Sequence, residues 1–436
     1  MKYYCLGIKG TGMSTLAQIL YDLGNEVTGY DDVTDYKFTE DGLRERGIVI
    51  YHDSSAQPDD DCVVTYSVAL PLTHPELVRM KEMGRTIKKY NEVVGEITAM
   101  FETISVSGTH GKTTTSAMLK HLLGNTIGVN YFVGAGDGHV SMDNRVFVIE
   151  SDEFNRHFLT YHPYYSIITN IEKEHMECYE DLQDIIDTFS LFADHTEKLV
   201  IACGDNENTH KLHTKTPVTY YGFGDDNDHV IRKAVYTPLG SRFELDGEEY
   251  EVPLFGLHMV QNAAAAIIAA KLEGLTYDEI RDNLRTFRNA HRRMEETDVN
   301  GIKIIDDYAH HPTEIAATIS AVRQKYPDRK LIAVFKPNTY SRTRDFTADF
   351  ARALSLADQV FMTDIDSNRE TQDQYPGVTS DLILERIPGA VKISDNSVEA
   401  IEADENTVVL VMSCASVSHL IESLIRHLDQ KKIRNE

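Results

Sequence analysis

Basic residues are scarce beside acidic ones. Lys and Arg total 43 against 69 Asp and Glu, a formal net charge of -26 over 436 residues. Nucleic-acid binding needs a basic face, so this balance argues against that class. It also means that a polyanionic substrate must meet a locally basic site inside an acidic molecule. Cysteine is sparse as well. The five (Cys5, Cys62, Cys178, Cys203, Cys414) are scattered without metal-type spacing, and an odd number does not suggest a disulfide framework. Long apolar runs are missing: the longest, Ala263 to Ala270, is far too short to span a bilayer. The N-terminal run Tyr3 to Leu6 breaks into Gly7 and Lys9, unlike a signal peptide. The expectation is a cytoplasmic protein with no nucleic-acid or membrane partner. No internal repeat or low-complexity tract is evident.

What is present is alternation of strands and helices in three α/β blocks, residues 1–98, 99–297 and 298–436. In the first, Tyr3–Gly7, Glu26–Tyr30 and Cys62–Tyr66 read as strands. A helix after the first carries Met13, Leu16, Ala17, Leu20 and Leu23 on one face. In the second, Thr103–Ser107, Val146–Glu150, Tyr165–Asn170 and Leu199–Ala202 read as strands. A helix starts near Lys112, and an alanine-rich helix, His258–Leu272, reads as buried. In the third, which begins around Asp298, Ile302–Asp306, Leu331–Phe335, Gln359–Met362 and Val408–Met412 read as strands. Such alternation predicts mostly parallel sheets with helices on both faces, and ligands beyond the carboxyl ends of the strands.

The motifs sit at those ends. Ser107-Gly108-Thr109-His110-Gly111-Lys112-Thr113-Thr114 follows a strand and opens a helix. Glycines let backbone N–H groups approach phosphate, the lysine reaches the β/γ-phosphates, and a threonine hydroxyl ligates Mg²⁺. Two residues separate Gly108 from Gly111, where the general phosphate loop has four. Gly7-Ile8-Lys9-Gly10-Thr11-Gly12-Met13-Ser14 resembles a dinucleotide turn but has Thr15 at the third conserved place. Asp31 ends the second strand, where a ribose-binding acid is expected. Glu150-Ser151-Asp152-Glu153 and Asn170–Met176 close two strands with carboxylates and His175, donors suited to Mg²⁺ and a second cation. The third block offers Asp306-Asp307-Tyr308-Ala309-His310-His311-Pro312 and, after its second strand, Lys336–Arg344 with two arginines suited to carboxylate or phosphate.

Together these segments resemble the Mur ligases over nearly the whole chain and in the same order. Those that carry the resemblance are Gly7–Ser14, Gly108–Thr115, Glu150–Glu153, Thr169–His175, Gly256–Asn262, Arg292–Glu295 and Asp306–Glu314. The phosphate loop with two spacer residues is that family's variant. The resemblance implies a Rossmann-like N-terminal domain that binds a UDP-sugar, a central P-loop ATPase-type domain, and a Rossmann-like C-terminal domain for the amino acid. It implies ATP and Mg²⁺, and a ligase joining L-alanine to the lactyl carboxylate of UDP-N-acetylmuramate through an acyl phosphate, acting as a monomer or weak homodimer. Gly10, Thr11, Gly12 and Ser14 would bind the diphosphate, with Asp31 and Ser67 near the nucleoside. Gly108, Thr109, His110, Gly111, Lys112, Thr113 and Thr114 would hold ATP. Thr113 and Glu150 would ligate the first metal and His175 the second. Asn262 would face adenine and Arg293 the phosphates. Asp307, Tyr308 and His310 would serve the nucleotide and the reaction centre, and Arg342 the incoming amino acid or substrate tail.

Four departures stand out. Met259 replaces an expected asparagine. Lys336-Pro337-Asn338 replaces a usual Gln-Pro-His, which bears on amino-acid specificity. Ser413-Cys414-Ala415-Ser416 replaces a usual Gly-Ala-Gly-Asp turn. Residues 174–197 contain no lysine, so the carbamylated lysine of some relatives has no counterpart there. Three alternatives stay open: a ligase adding a peptide or another small amino acid to the same sugar nucleotide, a dinucleotide-dependent oxidoreductase, and a P-loop regulatory ATPase.

Overall fold

A computed structural model of the protein describes residues 1–134, 136–367 and 370–435, with side chains to residue 430. Three α/β domains follow one another, each built on a mostly parallel sheet. The first sheet contains β1 (Lys2–Leu6), β2 (Glu26–Tyr30), β3 (Val49–Tyr51), β4 (Val63–Tyr66) and β5 (Thr86–Lys89), all parallel, in the order β3-β2-β1-β4-β5. In β1, Tyr3 and Cys5 enter one apolar core while Tyr4 and Leu6 enter another, the period-2 pattern of a strand covered on both faces.

The second sheet has eight strands. They are β6 (Glu102–Ser107), β7 (Asn130–Val133), β8 (Asp137–His139), β9 (Val146–Glu150), β10 (Tyr165–Ile168), β11 (Leu199–Cys203), β12 (Val218–Gly222) and β13 (His229–Val230). Their order is β13-β12-β11-β10-β6-β9-β7-β8, and only the β7–β8 pair is antiparallel. A small three-stranded sheet follows, from β14 (Arg232–Thr237), β15 (Gly240–Leu245) and β16 (Glu248–Val252). These strands escape a sequence reading because they are short and carry charged residues such as Arg232, Lys233, Glu248 and Glu249 on their exposed sides.

The third sheet contains β17 (Glu295–Val299), β18 (Ile302–Asp307), β19 (Lys330–Phe335), β20 (Gln359–Met362), β21 (Val391–Lys392) and β22 (Thr407–Met412), in the order β17-β18-β22-β19-β20-β21. Only β17 runs antiparallel. It starts at Glu295, three residues before the expected opening of the third block. Along β19 and β22 the side chains alternate between two cores. Leu331, Ala333, Phe335, Val408, Leu410 and Met412 face one, and Ile332, Val334, Val409 and Val411 the other. The helix Leu257–Leu272 is buried from Asn262 to Ala270, as its alanine-rich sequence predicts. Among the described residues no helix is long and apolar enough to cross a membrane.

The chain divides into two compact units. One is Met1–Lys233 with Phe243–Glu251 and Gln261–Phe287; the other is Ala234–Arg242 with Val252–Val260 and Arg288–Glu436. Within the first unit the N-terminal and central sheets share a core that runs from Tyr3 to Ala202. The helix Thr11–Asp22 lies beside β8: Gln18 Nε2 donates to Gly136 O at 2.8 Å, and Arg46 joins Asp22 (Nε to Oδ1, 2.8 Å) to Gly138 O (3.2 Å). At a second junction Thr160 Oγ1 donates to Asn91 O at 2.7 Å, and a Cβ on Gly95 would collide with the Thr160 carbonyl. Gly95→Val should therefore lower the thermal unfolding midpoint by an amount equivalent to about 1–3 kcal/mol, the cost of overpacking a close backbone approach. An unchanged midpoint in a calorimetric scan would mean that this junction is not as tight as described.

Candidate functional site

The loop between β6 and the helix Lys112–Gly124 is clamped by the end of β10. That strand stops at Ile168 rather than Asn170, because Thr169 and Asn170 turn to grip the loop. Asn170 Oδ1 accepts from His110 N at 2.8 Å, its Nδ2 donates to His110 O at 3.1 Å, and Thr169 Oγ1 donates to the same carbonyl at 2.5 Å. Glu172 N donates to Thr109 Oγ1 at 2.8 Å. Gly108 (φ 130°) and Gly111 (φ 84°) occupy backbone regions that disfavour side chains. A Cβ on Gly108 would strike Thr169 Oγ1, and one on Gly111 would come within 2.7 Å of Asn262 Oδ1. The helix has no acid in its first turn, so its N-terminal field is left to attract an anion.

Lys112 folds back over this loop. Its Nζ donates to Gly108 O at 2.6 Å and pairs with Glu153 Oε2 at 2.8 Å, where the Glu153 side chain is 3% exposed. Burial works against the ammonium, but Glu153, Asp152 and Glu150 outweigh it and hold Lys112 above its ordinary pKa. Thr113 Oγ1 donates to Glu150 Oε1 at 2.9 Å, and the other Glu150 oxygen accepts from Gly134 N at 2.9 Å. His175 faces Asp152 and Glu153, with ligand atoms of all three within 4.8 Å of one another. Burial opposes charge on His175, yet Glu177, Glu153, Glu174 and Asp152 raise its pKa. His175 also has φ 57°, a left-handed conformation that costs a non-glycine residue about 1–2 kcal/mol. Such strain gathers at functional sites.

In the N-terminal domain the glycine turn follows β1, and Ser67 follows its neighbour β4, so both lie where the strand order reverses. Asp31 is buried and engaged: Oδ2 accepts from Lys9 N at 2.8 Å and Oδ1 from Val33 N at 3.0 Å. Ser14 Oγ donates to Thr39 O at 2.6 Å, and Thr39 Oγ1 to Lys9 O at 2.7 Å. Lys9 itself is 2% exposed. Its Nζ pairs with Glu40 Oε1 at 2.8 Å and donates to Asp35 O at 3.0 Å. Residues 31–40 are thus tied down beside the turn.

In the C-terminal domain Asp307 Oδ2 accepts from Met294 N and Oδ1 from Ala309 N, both at 2.9 Å. Burial pushes its carboxyl up against the pull of Arg293 and these N–H groups. The guanidinium carbons of Arg292 and Arg293 lie 5.4 and 5.0 Å from the Tyr308 ring centre. His310 Nδ1 lies 3.0 Å from Tyr308 O and 3.2 Å from Glu314 Oε2. Arg342 opens the short helix Tyr340–Asp345 with Tyr340 and Ser341, and its Nη1 lies 3.5 Å from Thr339 Oγ1. Ser413 Oγ donates to Lys336 O at 2.8 Å and accepts from Ala415 N at 2.9 Å. Residues 413–416 avoid the left-handed region, so this turn needs no glycine.

Three family models match in succession: Mur ligase family, catalytic domain, over residues 2–102; Mur ligase middle domain over 106–270; and Mur ligase, glutamate ligase domain, over 292–415. The chain belongs to the Mur ligase family. It is therefore an ATP-dependent ligase of peptidoglycan synthesis. Among solved structures it is similar to the UDP-N-acetylmuramate-alanine ligase of Thermotoga maritima, at 26% identity, over 100% of each chain, with a TM-score of 0.79. It shares the fold of a murein peptide ligase from Psychrobacter arcticus (22% identity, 98% of this chain and 99% of that one, TM-score 0.69). The MurF ligase of Thermotoga maritima, solved in complex with ADP, shares it too (16%, 93% and 95%, TM-score 0.65).

Within this Mur ligase the structure brings Thr109, His110, Lys112, Thr113, Glu150 and Asn262 together around one loop. Glu153, the partner of Lys112, was not singled out from sequence; its signal was a second acid in the carboxylate run closing β9. Lys9 was also missed, because a lysine inside a glycine turn reads as exposed. Met259 is 6% exposed and apolar, so packing accounts for it. Burial pushes the Glu40 carboxyl up, but Lys9, Arg44 and the Lys37 N–H outweigh it and hold it at about 2, below its ordinary 4.5. A depressed carboxyl adds stability in full above its unfolded pKa and loses it as pH falls through the folded one. Stability should fall between about pH 4.5 and 2. Glu40→Gln should flatten that part of a stability-against-pH profile, and an unaltered profile would count against the pair.

Proposed function

We propose that this Mur ligase joins L-alanine to the lactyl carboxylate of UDP-N-acetylmuramate in the cytoplasm, as a monomer or weak homodimer. The observation that carries the alanine reading is the likeness to the Thermotoga maritima alanine ligase over the whole of both chains. The Asp306–Pro312 segment and the lack of lysine in residues 174–197 support it.

The chemistry explains the groups. The lactyl carboxylate attacks the γ-phosphorus of ATP, forming an acyl phosphate and releasing ADP. The alanine amine then attacks the acyl carbon, and phosphate leaves. Both steps gather anions, so fixed positive charge and positioning supply most of the acceleration. Lys112 exchanges Glu153 for phosphate oxygens, and the loop N–H groups hold the remainder. Gly10, Thr11, Gly12 and Ser14, with Asp31 and Ser67, serve the sugar nucleotide. Asn262, Arg293, Asp307 and Tyr308 serve the ATP nucleotide, His310 the reaction centre, and Arg342 the amino acid.

The donors fit Mg²⁺. A carboxylate and a hydroxyl meet just beyond the phosphate loop at Glu150 and Thr113, and hard oxygen ligands suit this ion. Thr113 and Glu150 would hold the first ion and His175 the second. Bound there, such ions neutralise phosphate charge.

Phosphate release should require Mg-ATP, UDP-N-acetylmuramate and L-alanine together, with an amide product confirmed by mass. Dependence on a peptide or another amino acid would move the specificity, an outcome that the Lys336 and Asn338 departures make worth including. NADH binding without UDP binding, or ATP hydrolysis indifferent to sugar nucleotide, would overturn the reading. Lys112→Ala and His175→Ala should each cut product formation by about 10²-fold or more while sugar-nucleotide binding persists. Near-normal turnover in either would remove that residue from the ATP site.

A further inference from the structure

Lys336 directly follows β19, the strand flanked by β22 and β20. Its side chain is 6% exposed, and an ammonium withdrawn from water is costly unless paired. It is paired twice, at 2.8 Å to Asp366 Oδ2 and at 2.8 Å to Asp395 Oδ2. Asp366 follows β20 and Asp395 follows β21, so one lysine draws three strand ends together. Asp366 is held by two further contacts: its N–H donates to Pro337 O at 2.9 Å, and its carbonyl accepts from Asn338 Nδ2 at 2.8 Å. Lys336 and Asn338, the two departures from the usual Gln-Pro-His, therefore converge on the same residue. A glutamine at 336 would be neutral and would leave two carboxylates without their counter-charge. The lysine, the asparagine and the aspartates form one coupled set.

We propose that Lys336, Asn338 and Asp366 are positioning residues that clamp the segment 336–342 and thereby determine which amine the enzyme accepts. This rests on the reading of Arg342 as the anchor of the incoming amino acid. Ser341 ties the same segment to Glu370, its N–H donating to Oε2 at 3.0 Å, and within the segment Arg342 Nη1 lies 3.5 Å from Thr339 Oγ1. A shift of about 1 Å in such a segment misplaces the amine and costs up to about 10²-fold in rate. The clamp holds the segment that carries Arg342 and includes none of the residues assigned to ATP (Asn262, Arg293, Asp307, Tyr308) or to the sugar nucleotide, so its loss acts first on the amine.

The test is steady-state kinetics on full-length wild type, Asn338→Ala, Asp366→Asn and the double variant. Each substrate is varied in turn, with L-alanine, glycine, L-serine and short peptides as amines. Asn338 is half-buried and the Asp366 side chain is exposed, so these variants disturb folding less than Lys336→Met, which empties a buried site. The KM for the amine preferred by the wild type should rise about tenfold in each single variant. The ratio of kcat/KM between amines should shift with it, and KM for ATP and for UDP-N-acetylmuramate should stay within about twofold. The double variant should be less impaired than the product of the singles, because both act through one residue. Unchanged amine KM and selectivity, or equal losses for all three substrates, would overturn the clamp in an active enzyme. A wild type that turns over no amine would overturn the ligase reading and this proposal with it.

Discussion

The ammonium of Lys112 sits largely out of water, and the central domain is arranged around that fact. A positive charge in such a place must be matched, and Glu153 matches it. Glu153 is in turn held by the run that closes β9, whose first acid, Glu150, meets Thr113 on the helix that Lys112 begins. The end of β10 braces the loop from the other side through Thr169 and Asn170. Lysine, acids and loop therefore depend on the register of three neighbouring parallel strands, β9, β6 and β10.

The same device recurs in the other two domains. Lys9, in the turn after β1, pairs with Glu40. Lys336, after β19, pairs with Asp366 and Asp395. Each lysine stands at the carboxyl end of a strand in the middle of its sheet, and each is neutralised by carboxylates from neighbouring loops. This answers the problem set by a net charge of -26. Positive charge is kept at the strand ends and the surrounding excess of acid stabilises it there. In the loop after β6 that charge is the one the proposed function gives to a ligand. In the turn and in the clamp it holds loops in place.

Regular structure was largely legible. Glu26–Tyr30, Val146–Glu150 and Gln359–Met362 read as strands with the bounds the structure has, since each is a short run around buried apolar residues such as Val27, Val148 and Phe361. The glycine loop after β6 and the acids beside it were legible as neighbours, because left-handed backbone at Gly111 demands glycine and motifs at parallel strand ends gather on one edge of the sheet. The strands between 232 and 252 were not, because their charged outer faces resemble loop composition. Nor was the end of β10, where hydrogen bonds from Thr169 and Asn170 to His110 O, in a loop 59 and 60 residues away in sequence, compete with continued pairing.

By itself the sequence determined the class of fold, the order of the domains and the strand-end segments on which the proposed site is built. These follow from local periodicity and from the donors and acceptors that anion binding demands. Only the tertiary structure decided the partners. That Glu153 rather than Asp152 holds the Lys112 ammonium, that Asp31 braces Lys9 N and Val33 N, and that Lys336 and Asn338 meet at Asp366 depend on which strand ends lie side by side. Strand order is settled by long-range packing of two-faced sheets, and no local pattern in the chain encodes it.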